Sequence, residues 1–138
     1  MTETLALVRE LVKRPIQYIH VSQKNYFQNA RRGEGAGTPR LKLIHDELKG
    51  KMALIGVGGL LSSEDLNKAL DSGFADFIAV GRALMLNKDL GTLLKEGKGD
   101  KIKLEIDPEH PEQFNIPKVL WGQSIQEGSW LNFKIKKK

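Results

Sequence analysis

Two short glycine-containing runs carry the clearest chemistry in the sequence. Gly58-Gly59 and Gly81-Arg82 lie 23 residues apart, each directly after an apolar run, 52–57 and 75–80. Glycine lacks a Cβ, so its backbone N–H can approach an anion closely. Arg82 adds a planar, permanently charged guanidinium suited to bidentate contact with phosphate. Such a pair at successive strand ends suits a phosphate site. The plainer alternative is two tight turns and a solvated arginine. Ser22 closes a third run, 16–22. It can offer a hydroxyl or N–H to the same ligand, or simply end the strand.

Other residues have chemistry open to them. His20 shares a strand face with Tyr18 and Ser22, and its imidazole is a side chain able to donate a proton in catalysis. A lone strand histidine is more often a hydrogen-bonded packing residue. Arg31 and Arg32 can reach an anionic ligand from a long loop, or stay solvated. Tyr26 and Phe27 can cover a ring or bury themselves against that loop. His45 and His110 have no partners at metal-ligand spacing. No Ser-His-Asp arrangement, GxGxxG run or Walker motif is legible.

The elements that must position these residues follow from periodicity. Residues 3–14 place Leu5, Val8, Leu11 and Val12 on one helical face, with Thr2 as N-cap and Pro15 as terminator. The runs 16–22, 52–57 and 75–80 are short, rich in branched and aromatic residues, and read as strands. Residues 23–40 hold Gly33, Gly35, Gly37 and Pro39 and read as a long loop. A helix is expected at about 40–49. Ser62 with Asp65 predicts a capping box opening a helix over 63–71, with Gly73 as its left-handed cap. A helix at about 83–95 carries Leu84, Leu86, Leu90 and Leu94. The rest, 100–138, has no clear period. Its apolar islands, Ile116 to Trp121 and Trp130 to Phe133, are expected to pack outside a domain rather than form a core. Alternating strands and helices predict an α/β layout with three parallel strands, whose carboxyl ends carry the ligand site.

Composition narrows the classes. The chain has 138 residues, 22 Lys or Arg, 17 Asp or Glu, a net charge of +5, 40% hydrophobic residues and no cysteine. There is thus no disulfide framework and no thiol nucleophile. No apolar run approaches the roughly 18 residues of a membrane span, and residues 1–10 do not read as a secretory signal. No membrane partner and a cytoplasmic location are the expectation. The charge is +2 over 1–30, +3 over 31–51, −2 over 52–94 and +2 over 95–138. Lys134, Lys136, Lys137 and Lys138 supply the last excess. Without interleaved aromatics they read as a solvated tail, not a nucleic-acid grip.

The run Ile55-Gly-Val-Gly-Gly-Leu-Leu-Ser-Ser-Glu-Asp, then Ala69-Leu-Asp-Ser-Gly-Phe-Ala-Asp-Phe-Ile-Ala-Val-Gly-Arg-Ala-Leu, resembles the C-terminal part of the Old Yellow Enzyme family. Tyr18-Ile-His-Val-Ser matches that family's sixth strand. The family comprises FMN-dependent NAD(P)H oxidoreductases on a (β/α)8 barrel. A complete barrel needs roughly 200 residues or more, so the resemblance implies βα units six to eight over 1–99 and an irregular C-terminal extension over 100–138. It assigns the FMN phosphate to Gly58, Gly59, Gly81 and Arg82, with Ser22 beside them. The flavin-ring, substrate-anchoring and proton-donating residues of the family come from earlier strands, which implies no catalytic residue here and an inactive fragment. A standalone α/β module that binds FMN or a phosphorylated ligand is the alternative. Strands cut from a barrel leave open edges, so self-association is expected.

Overall fold

The computed structural model describes residues 1–126, 129 and 131–136. Trp130, Lys137 and Lys138, named above, lie outside the described residues. The chain forms two compact units, residues 1–60 with 66–79, and residues 61–65 with 80–138.

The first unit is α/β. Its elements are α1 (Thr2–Leu11), β1 (Tyr18–Ser22), α2 (Arg40–Leu48), β2 (Ala53–Val57), most of α3 (Ser63–Asp71) and β3 (Phe77–Ile78). The strands form one parallel sheet in the order β1-β2-β3. The register sets Ser22 beside Val57 and Gly56 beside Ile78. One sheet face is covered: Leu54 is fully buried, and Gly56 lies against Leu41, Tyr26 and Ala75. The other presents Tyr18 and Phe77, 56% and 59% exposed, with Ile55 half-buried between them. A parallel sheet is ordinarily covered on both faces.

Local signals account for most of these boundaries. Ser62 and Asp65 form the capping box: Asp65 N–H donates to Ser62 Oγ at 3.0 Å, and Ser62 N–H to Asp65 Oδ2 at 3.1 Å. Gly73 is left-handed at φ 62°, as a C-cap requires. Thr2 departs from expectation. Met1 is the N-cap of α1, and Thr2 Oγ1 instead accepts from Glu34 N–H at 3.2 Å, tying the long loop to the helix.

Asp76 locks the start of β3. Its Oδ2 accepts from Leu54 N–H at 2.7 Å, while its own N–H donates to Leu54 O at 3.0 Å. The Leu54 N–H, ahead of the nearby His45 imidazole, holds the Asp76 carboxyl below its ordinary 3.8. A carboxylate with a depressed folded-state pKa adds stability above its unfolded value and loses it as pH falls through the folded one. Asp76→Asn is therefore expected to lower stability at neutral pH and to flatten its fall below pH 3.8, a flattening that acid titrations followed by circular dichroism would reveal.

The second unit differs most from expectation. The helix predicted over 83–95 is two helices, α4 (Arg82–Leu86) and α5 (Leu90–Lys95). Asn87 breaks it, with extended backbone at φ −137° and ψ 94°. Its buried amide donates to Ala83 O and Lys103 O, both at 3.0 Å, and its carbonyl accepts from Lys103 N–H at 2.7 Å. The break turns Leu84 and Leu94 outward, so only Leu86 and Leu90 of the expected stripe are buried. Nor is 100–138 irregular: β4 (Glu105–Ile106) pairs in parallel with β5 (Lys134–Ile135), and α6 spans Lys118–Ser124. Described residues of the two apolar islands, Ile116, Trp121 and Phe133, pack half-buried against a small core whose buried members lie outside the islands. Leu86, Ile106 and Phe114 are buried together, with Ile116, Trp121, Ile125, Phe133 and Ile135 packed on them. Lys134 pairs with Glu105, and Lys136 with Asp107 at 2.8 Å. The basic tail is in part a set of cross-strand ion pairs. Among the described residues no helix is long and apolar enough to cross a membrane.

Candidate functional site

The carboxyl ends of β1 and β2 bring Ser22, Gly58 and Gly59 together. Parallel pairing sets Ser22 opposite Val57, and Gln23 N–H continues the ladder to Val57 O at 3.0 Å. The loop then folds back over β2. Tyr26 N–H donates to Gly58 O at 2.8 Å, and Gln23 Nε2 braces Tyr26 O at 2.9 Å.

This wrap assigns different parts to the two glycines. Gly58 is buried. A Cβ there would lie 2.7 Å from the Asn25 carbonyl carbon and 2.8 Å from Tyr26 Cα, so the room glycine leaves is filled by the chain's own loop. Gly59 is exposed and left-handed at φ 70°, a conformation few side chains accept. Of the pair, Gly59 presents its backbone to solvent.

Tyr26 and Phe27 take the packing role of the two considered. Tyr26 is fully buried, its phenol pushed up by burial. Phe27 meets Tyr26 and Phe74 edge-on, with Lys68 Nζ 5.0 Å from its ring centre. His20 stands exposed on the open sheet face beside Tyr18 and Ser22. The hydrogen-bonded packing expected of it is not seen among the described residues.

In the second unit, Gly81 immediately precedes α4. It is exposed, its φ of −109° suits any residue, and a Cβ there would meet nothing within 4 Å. Neither strain nor packing among the described residues calls for glycine at this position. Arg82 does not swing free: its Nη1 donates to Asn132 O at 2.9 Å. Asn132 is left-handed at φ 49°, which aims its carbonyl. One donor of the guanidinium is fixed, and the remaining four are left to a ligand or water. The Asn132 contact spans 50 residues, and no local signal points to it.

The first unit is thus α/β with parallel strands, Ser22, Gly58 and Gly59 standing at the ends of β1 and β2, while Gly81 and Arg82 stand at the start of α4 in the second unit. Comparison with known proteins adds a class. No protein-family model matches the chain. It is 28% identical over 134 residues to the "Probable NADH-dependent flavin oxidoreductase YqiG" of Bacillus subtilis, covering 97% of this chain and 36% of that protein. It is also 25% identical over 123 residues to "NADH:acrylate oxidoreductase" of Vibrio harveyi, covering 86% of this chain and 12% of that protein. The chain therefore spans about a third of one relative and about an eighth of the other. The resemblance to flavin oxidoreductases carried by the strand-end motifs is matched by these names.

Proposed function

We propose that the chain is the C-terminal part of an FMN-dependent NAD(P)H oxidoreductase, its three βα units being the last three of a (β/α)8 barrel. The observation that carries this reading is similarity along 97% of the chain to an NADH-dependent flavin oxidoreductase of which it spans 36%. The open sheet face supports it, since in a barrel the inner face is filled by facing strands.

In this reading Gly59, Gly81 and Arg82 hold the FMN phosphate, Ser22 stands beside them, and Gly58 anchors the loop that shapes the rim. The fit is good where Gly59 and Gly81 leave exposed backbone and where Arg82 has free donors. FMN, if bound, would supply the hydride chemistry between NAD(P)H and an acceptor. The residues of this chain bind and orient; the ring-contacting and proton-donating residues of the family match no position here.

Calorimetry with FMN, using riboflavin as control, tests the assignment. The 138-residue chain is expected to bind FMN weakly, to lose binding without the phosphate, and to lose about tenfold or more in Arg82→Ala, the scale of a charged hydrogen bond. Equal affinity for riboflavin, or an unaffected Arg82→Ala, overturns it. NADH oxidation with added FMN is expected to be absent.

Alone, the chain is proposed to associate with a second copy through the open face. Tyr18, Ile55 and Phe77 leave apolar surface there, with His20 opposite Ile55, and among the described residues β1 and β3 are each paired on one edge only. Light scattering is expected to give a mass above the 15.5 kDa of one chain. A monomer at high concentration counts against the proposal.

A further inference from the structure

The loop after β1 and the starts of α1 and α2 line a basic pocket open to solvent. It measures about 440 Å³ and is lined by Met1, Arg31, Arg32 and Arg40. An adjoining cavity of about 330 Å³ is lined by Arg32, Gly33 and the first residues of α1, among them Glu3. Volumes of this order suit a small molecule.

Apart from Glu3 in the adjoining cavity, the carboxylates nearest in the fold are already engaged. Glu34 and Glu47 are both held by Arg9, at 2.7 Å and 2.9 Å. This removes two carboxylates from competition for the cavity arginines. Among the described residues no side-chain hydrogen bond or ion pair is made by Arg31, Arg32 or Arg40, and the Arg40 Nε is buried without a partner. A buried donor left unmet is unfavourable, and a ligand oxygen would offset it. Neither α1 nor α2, ten and nine residues long, has a side-chain N-cap. Both helices thus turn uncapped, positive ends toward this region.

We propose that Arg31, Arg32 and Arg40 form a binding site for a diphosphate group, separate from the phosphate role assigned to Arg82. Three guanidiniums match the charge of a diphosphate better than that of a single phosphate. Their planar forks suit its paired oxygens. The diphosphate belongs either to free pyrophosphate or to a nucleotide.

Titration calorimetry of the 138-residue chain with inorganic pyrophosphate tests this, with orthophosphate, ADP and NADH as parallel arms. Pyrophosphate is expected to bind more tightly than orthophosphate, with affinity falling as salt rises. The double variant Arg31→Ala/Arg32→Ala is expected to weaken pyrophosphate about tenfold or more, while Arg82→Ala leaves it unchanged. Arg31 and Arg32 are exposed, so circular dichroism of the double variant should match the parent. Arg40→Lys keeps the charge but removes Nε, and is expected to weaken binding as well. Tighter binding of ADP or NADH than of pyrophosphate identifies a nucleotide, and the reverse identifies the free anion. Pyrophosphate affinity that survives the double variant, or falls only with Arg82→Ala, overturns the proposal and leaves the FMN assignment standing.

Discussion

Gly58→Ala is expected to unfold the first unit or bring it close to unfolding. The new Cβ would enter the backbone of Asn25 and Tyr26, within 2.7–2.8 Å of the Asn25 carbonyl carbon and Tyr26 Cα. Backbone held by the Tyr26-to-Gly58 hydrogen bond cannot step aside as a side chain can. The cost should reach the upper end of the roughly 1–3 kcal/mol typical of overpacking, or exceed it. Gly56→Ala is the informative neighbour. Its Cβ would meet the ends of Leu41 and Tyr26, each at 2.9 Å, and Ala75 Cβ at 3.2 Å, so part of the strain can relax. Gly81→Ala, facing open space, should change stability by no more than about 0.5 kcal/mol. Urea unfolding followed by circular dichroism at 222 nm would rank the three. A Gly58→Ala midpoint equal to that of Gly81→Ala would refute the packing account.

The second large effect is expected in the other unit. Asn87→Ala removes three hydrogen bonds in one step: two to the carbonyls of Ala83 and Lys103, and one from Lys103 N–H. The side chain is buried, so water does not readily replace it. A loss of roughly 2–4 kcal/mol follows from one unmet donor and two weakened acceptors. The same amide ends α4 and pins the chain leading to β4, so the damage should spread to the core around Phe114 and Trp121. Their rings stack with centres 5.9 Å apart, and tryptophan fluorescence during urea unfolding gives the readout. Asn87→Asp, which keeps the acceptor for Lys103 N–H but sets a buried carboxylate oxygen against the carbonyls of Ala83 and Lys103, should cost at least as much as alanine. An alanine variant with an unmoved fluorescence midpoint would remove Asn87 from the role.

These two residues show where a sequence is readable and where it is not. The capping box at Ser62 and Asp65, the three strands and the helix over 63–71 rest on contacts within a few residues, and their signals are local. Gly58 was legible as a strand end. Its packing against Asn25 and Tyr26 was not, because those partners lie more than 30 residues earlier in a loop without periodicity. Asn87 sits in a leucine stripe of helical spacing, and only Lys103, 16 residues on, makes a break favourable. Strands of two residues, such as β4 and β5, are too short to show an alternation. The partner of Arg82 is a main-chain carbonyl, which carries no side-chain signature at all.

Both sheets among the described residues are parallel, and this has a consequence for how the chain acquires its structure. Paired residues stand far apart in sequence: Tyr18 with Ala53, Ile55 with Phe77, Glu105 with Lys134. No hairpin can seed either sheet, and each pairing waits on closure of a long intervening segment. During synthesis Tyr18–Ser22 cannot pair with β2 until Ala53–Val57 has emerged, and Glu105–Ile106 cannot pair with β5 until Lys134–Ile135 has. High contact order of this kind slows folding and lengthens the exposure of unpaired strands. Helices α1 and α2, which form locally and pack on each other, are the elements able to gather the first strands before the sheet exists.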